Sequence, residues 1–541
     1  MNAHRSAPEL ILLFDHCHTF AKRLPLVRGL AVAEGRVIAL GTRRAVLSLR
    51  GRGTRVVDCA ETTVTPGLVD CHTHFFYWAL GRSLVVDLST LHSRDAVLRA
   101  IHTFARQRPD NDWIVARGFD YNRWDAGLPS AADLDRVVSD RAVIAHSRDG
   151  HSAWLNTAAL QQVGISARTP DPKGGRYLRD ARGRPTGIVQ ETAVDLLPDP
   201  VRDFARRRDA GALRVIDAAL DDAFRIAQQH GLVGVHSMDD GTSLSHLLRL
   251  HDTGKLALRV LHAVPLAELG RAVELGLRSG FGDEWLRLGG IKMFADGALG
   301  SQTAYMYDAY PGRRGYHGVP NVAGDALRDA VCQAAQCGWA AWIHAIGDRA
   351  VHDAVAAIAA ASRAGRPVLP HRIEHAQCVR PRDVRRMAQL GVIASVQPCH
   401  LLGDIVTADR HWPRARRNAY PLRRMLTAGV TLAAGSDVPI ESLDPRRSLY
   451  AAVVRANEQG QPTGGWFPGE RISAADTLRA FTRGAAIAAR GHALAGTIAL
   501  GAPADLTIWR EDPLRVAPQA LLEIGIPGCV VGGQVHLNDD A

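Results

Sequence analysis

The chain has 541 residues, a length for about two to four domains, and its hydrophobic content of 46% is typical of a folded globular protein. A formal charge of +10 without a basic stripe disfavours nucleic-acid binding, and no apolar run approaches the ~20 residues of a membrane span. Eight cysteines without a repeated close pair indicate neither a disulfide framework nor a zinc ribbon. We therefore expect a cytoplasmic protein.

The two ends of the chain have the same β-rich character. Residues 1–66 contain short apolar runs separated by turns, such as the run from Glu34 to Gly41. Residues 491–541 repeat this pattern, for example from Gly496 to Trp509. Short apolar segments bounded by glycine are typical of strands and turns. The sequence thus predicts one small β-sandwich domain built from both termini.

Two histidines close the apolar run that begins at Pro66. His72 and His74 are separated by one residue, and alternate residues of a β-strand point to the same face. Two imidazoles on one face of a strand are close enough to share a metal ion. Because a His-x-His pair is common by chance, the other predicted strands have to support this interpretation.

A different pattern fills the middle of the chain. In residues 67–80 and 209–490, apolar strand-like runs alternate with amphipathic helical segments, which predicts a (β/α)8 barrel of the TIM type in the α/β class. After the His72 strand, seven runs complete the eight strands: 231–236, 258–262, 288–294, 339–344, 371–375, 392–397 and 430–437. Residues 81–208 interrupt the alternation, and we expect them to form an inserted subdomain that covers the barrel mouth.

The polar residues that end these strands form an ordered set. His72 and His74 end the first strand, and later strands end with Lys292 (fourth), His344 (fifth), His375 (sixth) and Asp437 (eighth). In a (β/α)8 barrel the chemistry lies at the carboxyl ends of the strands. The order is therefore much more specific than the His-x-His pair alone.

The passages around these residues resemble amidohydrolase family 3 of the amidohydrolase superfamily, including the N-substituted formamide deformylase group. They are Pro66 to His74, Ile291 to Ser301, Ile343 to Asp348, Arg372 to Gln377, and Gly435 to Pro439. The resemblance covers nearly the whole chain. It implies a metal-dependent hydrolase whose ligands are His72, His74, Lys292, His344, His375 and Asp437, with a carboxylated lysine bridging the ions if there are two.

Imidazoles with a carboxylate suit zinc, although iron, manganese, cobalt and nickel accept the same ligands. A zinc ion lowers the pKa of bound water to about 7, and the hydroxide can attack a carbonyl carbon. We expect Asp437 to be the catalytic general base, which takes the proton and passes it to the departing nitrogen.

Lys292 leaves two interpretations open. Only four of the 65 basic residues are lysines, so a lysine kept in an apolar strand indicates chemistry that arginine cannot perform. A carbamate formed with carbon dioxide is anionic and would bridge two metal ions. Otherwise Lys292 is a buried neutral or ion-paired side chain near a single ion held by His72, His74, His344 and Asp437.

Four other residues have weaker claims. His151 lies in the insertion and Asp296 follows Lys292, and we predict substrate contacts for both, with a turn cap as the alternative for Asp296. His236 and His262 also end predicted strands. Each could support a metal ligand through a hydrogen bond, or could be a histidine of the protein core.

We expect hydrolysis of a carbon–nitrogen, non-peptide bond in a small linear amide such as an N-substituted formamide. One alternative keeps the site but changes the substrate to a cyclic amide, lactone, ester or dipeptide-like molecule, since a fold does not fix a substrate. The other is a non-catalytic scaffold, which the six competent ligand positions disfavour. The expected partner is a small-molecule amide, without nucleic acid or membrane, and a homodimer is the default assembly.

Overall fold

A computed structural model describes residues 7–21, 27–108, 112–121, 124, 127–148, 151–491 and 494–538. These residues form two compact units, Met1–Phe76 with Ala223–Ala541, and Tyr77–Asp222. The strands are, in chain order, β1 Leu10–Cys17, β2 Gly29–Ala33, β3 Arg36–Gly41, β4 Arg55–Pro66, β5 Leu68–Thr73, β6 Val85–Asp87, β7 Trp113–Phe119, β8 Ala142–Ser147, β9 Ser152–Leu155, β10 Gly175–Arg179, β11 Pro185–Glu191, β12 Leu232–Ser237, β13 Arg259–Pro265, β14 Leu286–Phe294, β15 Ala341–Ala345, β16 Arg372–His375, β17 Ile393–Val396, β18 Thr431–Ala434, β19 Leu506–Trp509, β20 Gly528–Val531 and β21 Gln534–Leu537.

The helices include the connections between barrel strands. They are α1 Arg43–Leu47, α2 Phe75–Leu84, α3 Arg94–Gln107, α4 Ala131–Asp135, α5 Thr157–Gln162, α6 Pro200–Arg206, α7 Ala210–Gln229, α8 Gly241–Asp252, α9 Leu269–Glu274, α10 Gly324–Gln336, α11 Asp348–Ala364, α12 Pro381–Leu390, α13 Leu401–His411, α14 Leu422–Thr427, α15 Pro445–Val454, α16 Ala474–Arg479 and α17 Ala485–Ala488. Within the described ranges, no helix combines the length and the apolar character that crossing a bilayer requires.

The larger unit contains the predicted (β/α)8 barrel. Eight strands form one parallel sheet in the order β18-β17-β16-β15-β14-β13-β12-β5, and a parallel bridge between Thr73 and Val438 joins its two edges. Strands such as β12 and β17 are buried along their whole length, as expected for a parallel sheet covered by helices. The fold class predicted from the alternation of strands and helices is confirmed.

The two ends of the chain meet in a second sheet of the same unit. Its order is β21-β20-β19-β4-β1-β2-β3, so that β4 from the start of the chain pairs with β19 from the end. The polypeptide passes from β4 to β5 across the single residue Gly67. The terminal sheet therefore holds the chain where the first barrel strand begins.

The smaller unit has its own sheet and core. Its six strands lie in the order β10-β11-β9-β8-β7-β6. Phe119, Trp124 and Trp154 pack edge-on or tilted at centroid distances of 5.9 to 6.0 Å. These aromatic rings are buried within this unit, and their large apolar area stabilises it. That the smaller unit covers the barrel mouth stays a prediction.

Candidate metal centre

Three of the predicted ligands meet at the carboxyl ends of the barrel strands. The ligand atoms of His72, His375 and Asp437 all lie within 4.8 Å of one another, and the three side chains are buried. His72 belongs to β5, His375 ends β16, and Asp437 follows β18. Residues more than 300 positions apart in the sequence thus converge because their strands end at one rim.

The other predicted ligands surround this group. The Nε2 atoms of His72 and His74 are each 3.5 Å from Asp437 Oδ1, so both histidines of the His-x-His pair face the same carboxylate oxygen. The ring of His344 lies 4.5 Å from that of His375, between centroids. Lys292 Nζ is buried and has no hydrogen-bond partner among the described residues.

The backbone is strained at two of these positions. His375 has a φ of 71° and Asp437 a φ of 64°, both in the left-handed region that non-glycine residues rarely adopt. The Asp437 N–H donates to the His72 carbonyl at 2.7 Å, which holds the strained turn against β5. Strain at ligand positions is typical of functional sites, where the surrounding structure imposes it.

Burial sets the protonation of the site. It lowers the pKa of His72 and His375 well below the usual histidine value, and it lowers that of His344 to about 3. The three imidazoles are therefore neutral near pH 7 and have a nitrogen lone pair for a cation. Burial raises the pKa of Asp437 to about 7 and lowers that of Lys292 to about 8.

Two residues that the sequence did not single out support His72. Glu374 Oε2 accepts from His72 Nδ1 at 2.7 Å, and neither side chain is more than 1% exposed. Arg372 forms an ion pair with Glu374, with 2.9 Å between Nε and Oε1, and it also donates to the Cys71 carbonyl and Ser395. With Nδ1 donating to a carboxylate, His72 directs the lone pair of Nε2 towards Asp437. The available signal was the charged pair within the apolar strand from Arg372 to His375.

His400 is the third residue that the sequence analysis missed. It follows β17, its side chain is 10% exposed, and its Nε2 lies 3.7 Å from Asp437 Oδ2. The side-chain amide of Gln377 donates to His400 Nδ1 at 3.3 Å. Burial lowers the pKa of His400 to about 4, so the ring is neutral near pH 7. Its position four residues past the end of a barrel strand was a signal that could have found it.

The weaker candidates have other contacts. Asp296 accepts hydrogen bonds from the backbone N–H groups of Tyr305, Ile346 and Gly347. Its carboxylate therefore holds the backbone of two loops. His151 is exposed in the smaller unit, and its Nδ1 lies 3.0 Å from a Glu191 carboxylate oxygen. Substrate contacts of both residues stay predictions.

The donor set fits a divalent cation. The site offers neutral imidazoles and a carboxylate, the ligands that zinc prefers. In the described part of the chain, His375 Nδ1 and Lys292 Nζ are buried without hydrogen bonds, a costly arrangement that a bound cation and a modified lysine would relieve.

Comparisons with known proteins agree with this geometry. The model of the amidohydrolase family matches residues 55–536. Protein LONG AFTER FAR-RED 3 of Arabidopsis thaliana is 31% identical, covering 95% of this chain and 90% of that protein. The N-substituted formamide deformylase of Arthrobacter pascens is 28% identical over 97% of each chain.

Solved structures show the same architecture. An uncharacterized metal-dependent hydrolase from Pyrococcus furiosus superimposes with a TM-score of 0.78 and 26% identity, covering 94% of this chain and all of that one. An adenosine deaminase from Xanthomonas campestris with bound zinc, at 14% identity and a TM-score of 0.53, shares the fold. It covers 98% of this chain and 93% of that one.

The barrel and the ligand cluster at its rim define a metal-dependent hydrolase of the amidohydrolase superfamily. Within that superfamily the chain belongs to amidohydrolase family 3, as its motifs predict.

Proposed function

We propose that this protein hydrolyses the carbon–nitrogen bond of a small linear amide, such as an N-substituted formamide. The observation that carries the proposal is the convergence of His72, His375 and Asp437 at the rim of a family 3 barrel. The similarity to an N-substituted formamide deformylase over 97% of each chain supports the substrate class.

We further propose zinc as the cofactor, as one or two ions. The residues that would hold it are His72, His74, Lys292, His344, His375 and Asp437. A bound divalent cation supplies Lewis acidity, which polarises a carbonyl group and acidifies a water molecule. The neutral state of the buried histidines supports this ligand set, because only a neutral imidazole can bind a cation.

Asp437 is the proposed general base and acid. Its carboxylate takes a proton from the attacking water and gives it to the amide nitrogen as the carbon–nitrogen bond breaks, so an amine departs instead of an unstable amide anion. Burial raises the pKa of Asp437 above the usual aspartate value in the metal-free site, which makes its carboxylate a better proton acceptor.

Lys292 is the proposed carbamate. Its neutral amine nitrogen forms a bond with the carbon of carbon dioxide, one C=O electron pair moves to that oxygen, and the nitrogen releases a proton to water. The product is an anionic carbamate that could hold two cations. Burial holds the pKa of Lys292 near 8, which leaves a fraction of neutral amine at pH 7 for this step. Carbon-13 NMR of protein equilibrated with labelled bicarbonate should show a carbamate carbon that Lys292→Arg lacks. One metal ion per chain beside an unmodified lysine would contradict the proposal.

A substrate panel tests the proposed reaction. The purified protein, after elemental analysis, should release amine from N-substituted formamides or other small N-acyl amines, and it should lose that activity on chelation and regain it with zinc. Activity confined to lactones, cyclic amides, esters or dipeptides would move the assignment to that substrate class. No turnover of any amide or ester by fully metal-loaded protein would favour a non-catalytic scaffold.

For location and assembly we propose the cytoplasm and a homodimer. All eight cysteines are free thiols in the structure, which supports a reducing compartment. Light scattering of the purified protein measures the assembly directly.

A further inference from the structure

His400 is a buried imidazole at the metal centre with no assigned task. It ends the turn Pro398–His400 after β17, and its ring lies nearly parallel to that of His375, at 24° and 6.0 Å between centroids. Its Nε2 faces Asp437 Oδ2 at 3.7 Å, whereas His72 and His74 face the other oxygen, Oδ1. The carboxylate of Asp437 thus separates His400 from the His-x-His pair.

The tautomer of His400 follows from its neighbour. The amide nitrogen of Gln377 can only donate, so Nδ1 of His400 accepts this hydrogen bond and the proton of the neutral ring is on Nε2. A protonated Nε2 has no lone pair for a cation. His400 therefore differs from His72, whose Nδ1 donates to Glu374 and whose Nε2 is free to bind.

Within the described ranges, the Nε2–H group of His400 is a buried donor that makes no hydrogen bond of normal geometry. Two acceptors are near the ring, the Ser436 carbonyl as a weak hydrogen-bond partner and Asp437 Oδ2 at 3.7 Å from Nε2, but among the described residues none makes a hydrogen bond of normal geometry with Nε2. An unsatisfied buried donor costs about 1–3 kcal/mol, and a fold keeps such a group where an absent molecule satisfies it. The acceptor is expected on the substrate, because Nε2 points towards the catalytic carboxylate.

We propose that His400 is a catalytic residue that donates its Nε2–H to the carbonyl oxygen of the amide. This inference rests on the proposed amide hydrolysis. When water adds to the carbonyl carbon, one electron pair of the C=O bond moves to the oxygen, and the hydrogen bond strengthens as that charge grows. When the carbon–nitrogen bond breaks, the pair returns and the C=O bond reforms. The proton of His400 stays on Nε2 throughout.

The carbonyl oxygen is the substrate atom that suits this donor. The leaving nitrogen needs a proton delivered to it, which Asp437 supplies and a neutral imidazole N–H does not. The carbonyl oxygen needs only a fixed donor. A preorganised donor in a buried site lowers the activation barrier of the hydrolysis without being consumed.

Two variants of His400 test the proposal. His400→Phe keeps the ring and removes the donor, whereas His400→Gln keeps an N–H group near the position of Nε2. The matched control is His262→Gln, because His262 is also a buried barrel histidine but is bonded to Ser243 and Ala263. The measurements are metal content, kcat and KM on the best amide of the panel, and calorimetric affinity for methylphosphonate, a tetrahedral oxyanion.

We expect His400→Phe to keep its metal, lose about 10²-fold in kcat, and bind methylphosphonate at least ~10-fold more weakly, whereas His400→Gln recovers part of both losses. The His262→Gln control should match the parent in kcat and affinity.

Equal methylphosphonate affinity of parent and His400→Phe would overturn the proposal, and so would loss of metal, which would make His400 a ligand. If His400→Phe does not fold, a His400→Gln variant with unchanged kcat and a 10-fold weaker affinity would also overturn it. Should the parent bind methylphosphonate but hydrolyse no amide, the proposed function fails while the affinity comparison still decides the role of His400.

Discussion

Two parts of the barrel contain buried histidines with different surroundings. On β12 and β13, His236 accepts from Arg372 at 3.0 Å, and His262 contacts the Ser243 hydroxyl at 2.6 Å and the Ala263 carbonyl at 2.5 Å. At the end of β16, His375 Nδ1 has no partner among the described residues, and the backbone is strained.

The difference lies in hydrogen bonding and not in burial. Burial lowers the pKa of the histidines in both parts of the barrel, so a depressed pKa does not distinguish a core histidine from a ligand. A histidine whose ring nitrogens are satisfied within the fold stabilises that fold. A histidine whose ring nitrogen makes no hydrogen bond, next to other polar groups without partners, is available to bind a ligand.

The largest expected effect comes from Asp437→Asn. The amide keeps the shape of the side chain but cannot accept a proton, so kcat on the best amide substrate should fall by about 10³-fold to 10⁴-fold. The control is Asp404→Asn, which alters a partly buried carboxylate, the one that accepts from the Tyr420 hydroxyl. Activity of Asp437→Asn within tenfold of the parent would remove Asp437 from the mechanism.

Replacing one histidine in each part of the barrel tests the comparison itself. His375→Asn should lower zinc affinity by more than ~10²-fold with little change in the thermal stability of the metal-free protein, because His375 makes few bonds within the fold. His262→Asn should lower that stability by ~1–3 kcal/mol, the usual cost of an unsatisfied buried partner, and keep its zinc. Elemental analysis and calorimetry measure both effects. The distinction between the two parts of the barrel fails if both variants lose metal equally.

The sequence predicted the barrel well because a parallel strand is an apolar run that ends in a polar residue. The eight predicted runs each contain most of one barrel strand, from β5 to β18. Their ends also named His72, His375 and Asp437, which the structure brings together. The order of the strands along the sequence is enough to predict this convergence, because the carboxyl ends of all strands of a parallel barrel meet at one rim.

The remaining features of the site and the fold depend on contacts between strands, which cannot be recognised in a single sequence. Glu374 is adjacent to a predicted ligand, yet only the register of β16 against its neighbours places its carboxylate on His72. Asp437 lies three residues beyond the end of β18, in a left-handed conformation that no local pattern indicates. The sheet of the smaller unit combines short strands from distant positions, so its order was equally hidden.

A smaller loss of metal affinity is expected from Glu374→Gln. Without the carboxylate, Nδ1 of His72 loses the acceptor that fixes its proton, and zinc affinity should fall by about 10-fold to 100-fold. The matched control is Asp383→Asn, which removes the carboxylate from a histidine–aspartate pair between helices α11 and α12, where Asp383 accepts from His352 at 2.8 Å. Competition with a chelator measures both affinities. Equal affinities of parent and Glu374→Gln would show that His72 is oriented by packing alone.

The smallest expected effect is a pH dependence of stability that arises from His262. Burial lowers the pKa of His262 from 6.5 to about 4, so the unfolded chain binds a proton at a pH where the folded chain does not. The stability that the neutral ring contributes is complete above pH 6.5 and declines as the pH falls towards 4. By pH 5 the parent should have lost ~2 kcal/mol relative to pH 7.5 through this group, a loss that His262→Asn does not show. Chemical denaturation of the metal-free proteins at both pH values measures the difference, and parallel profiles would mean that His262 is charged or hydrated in the folded state.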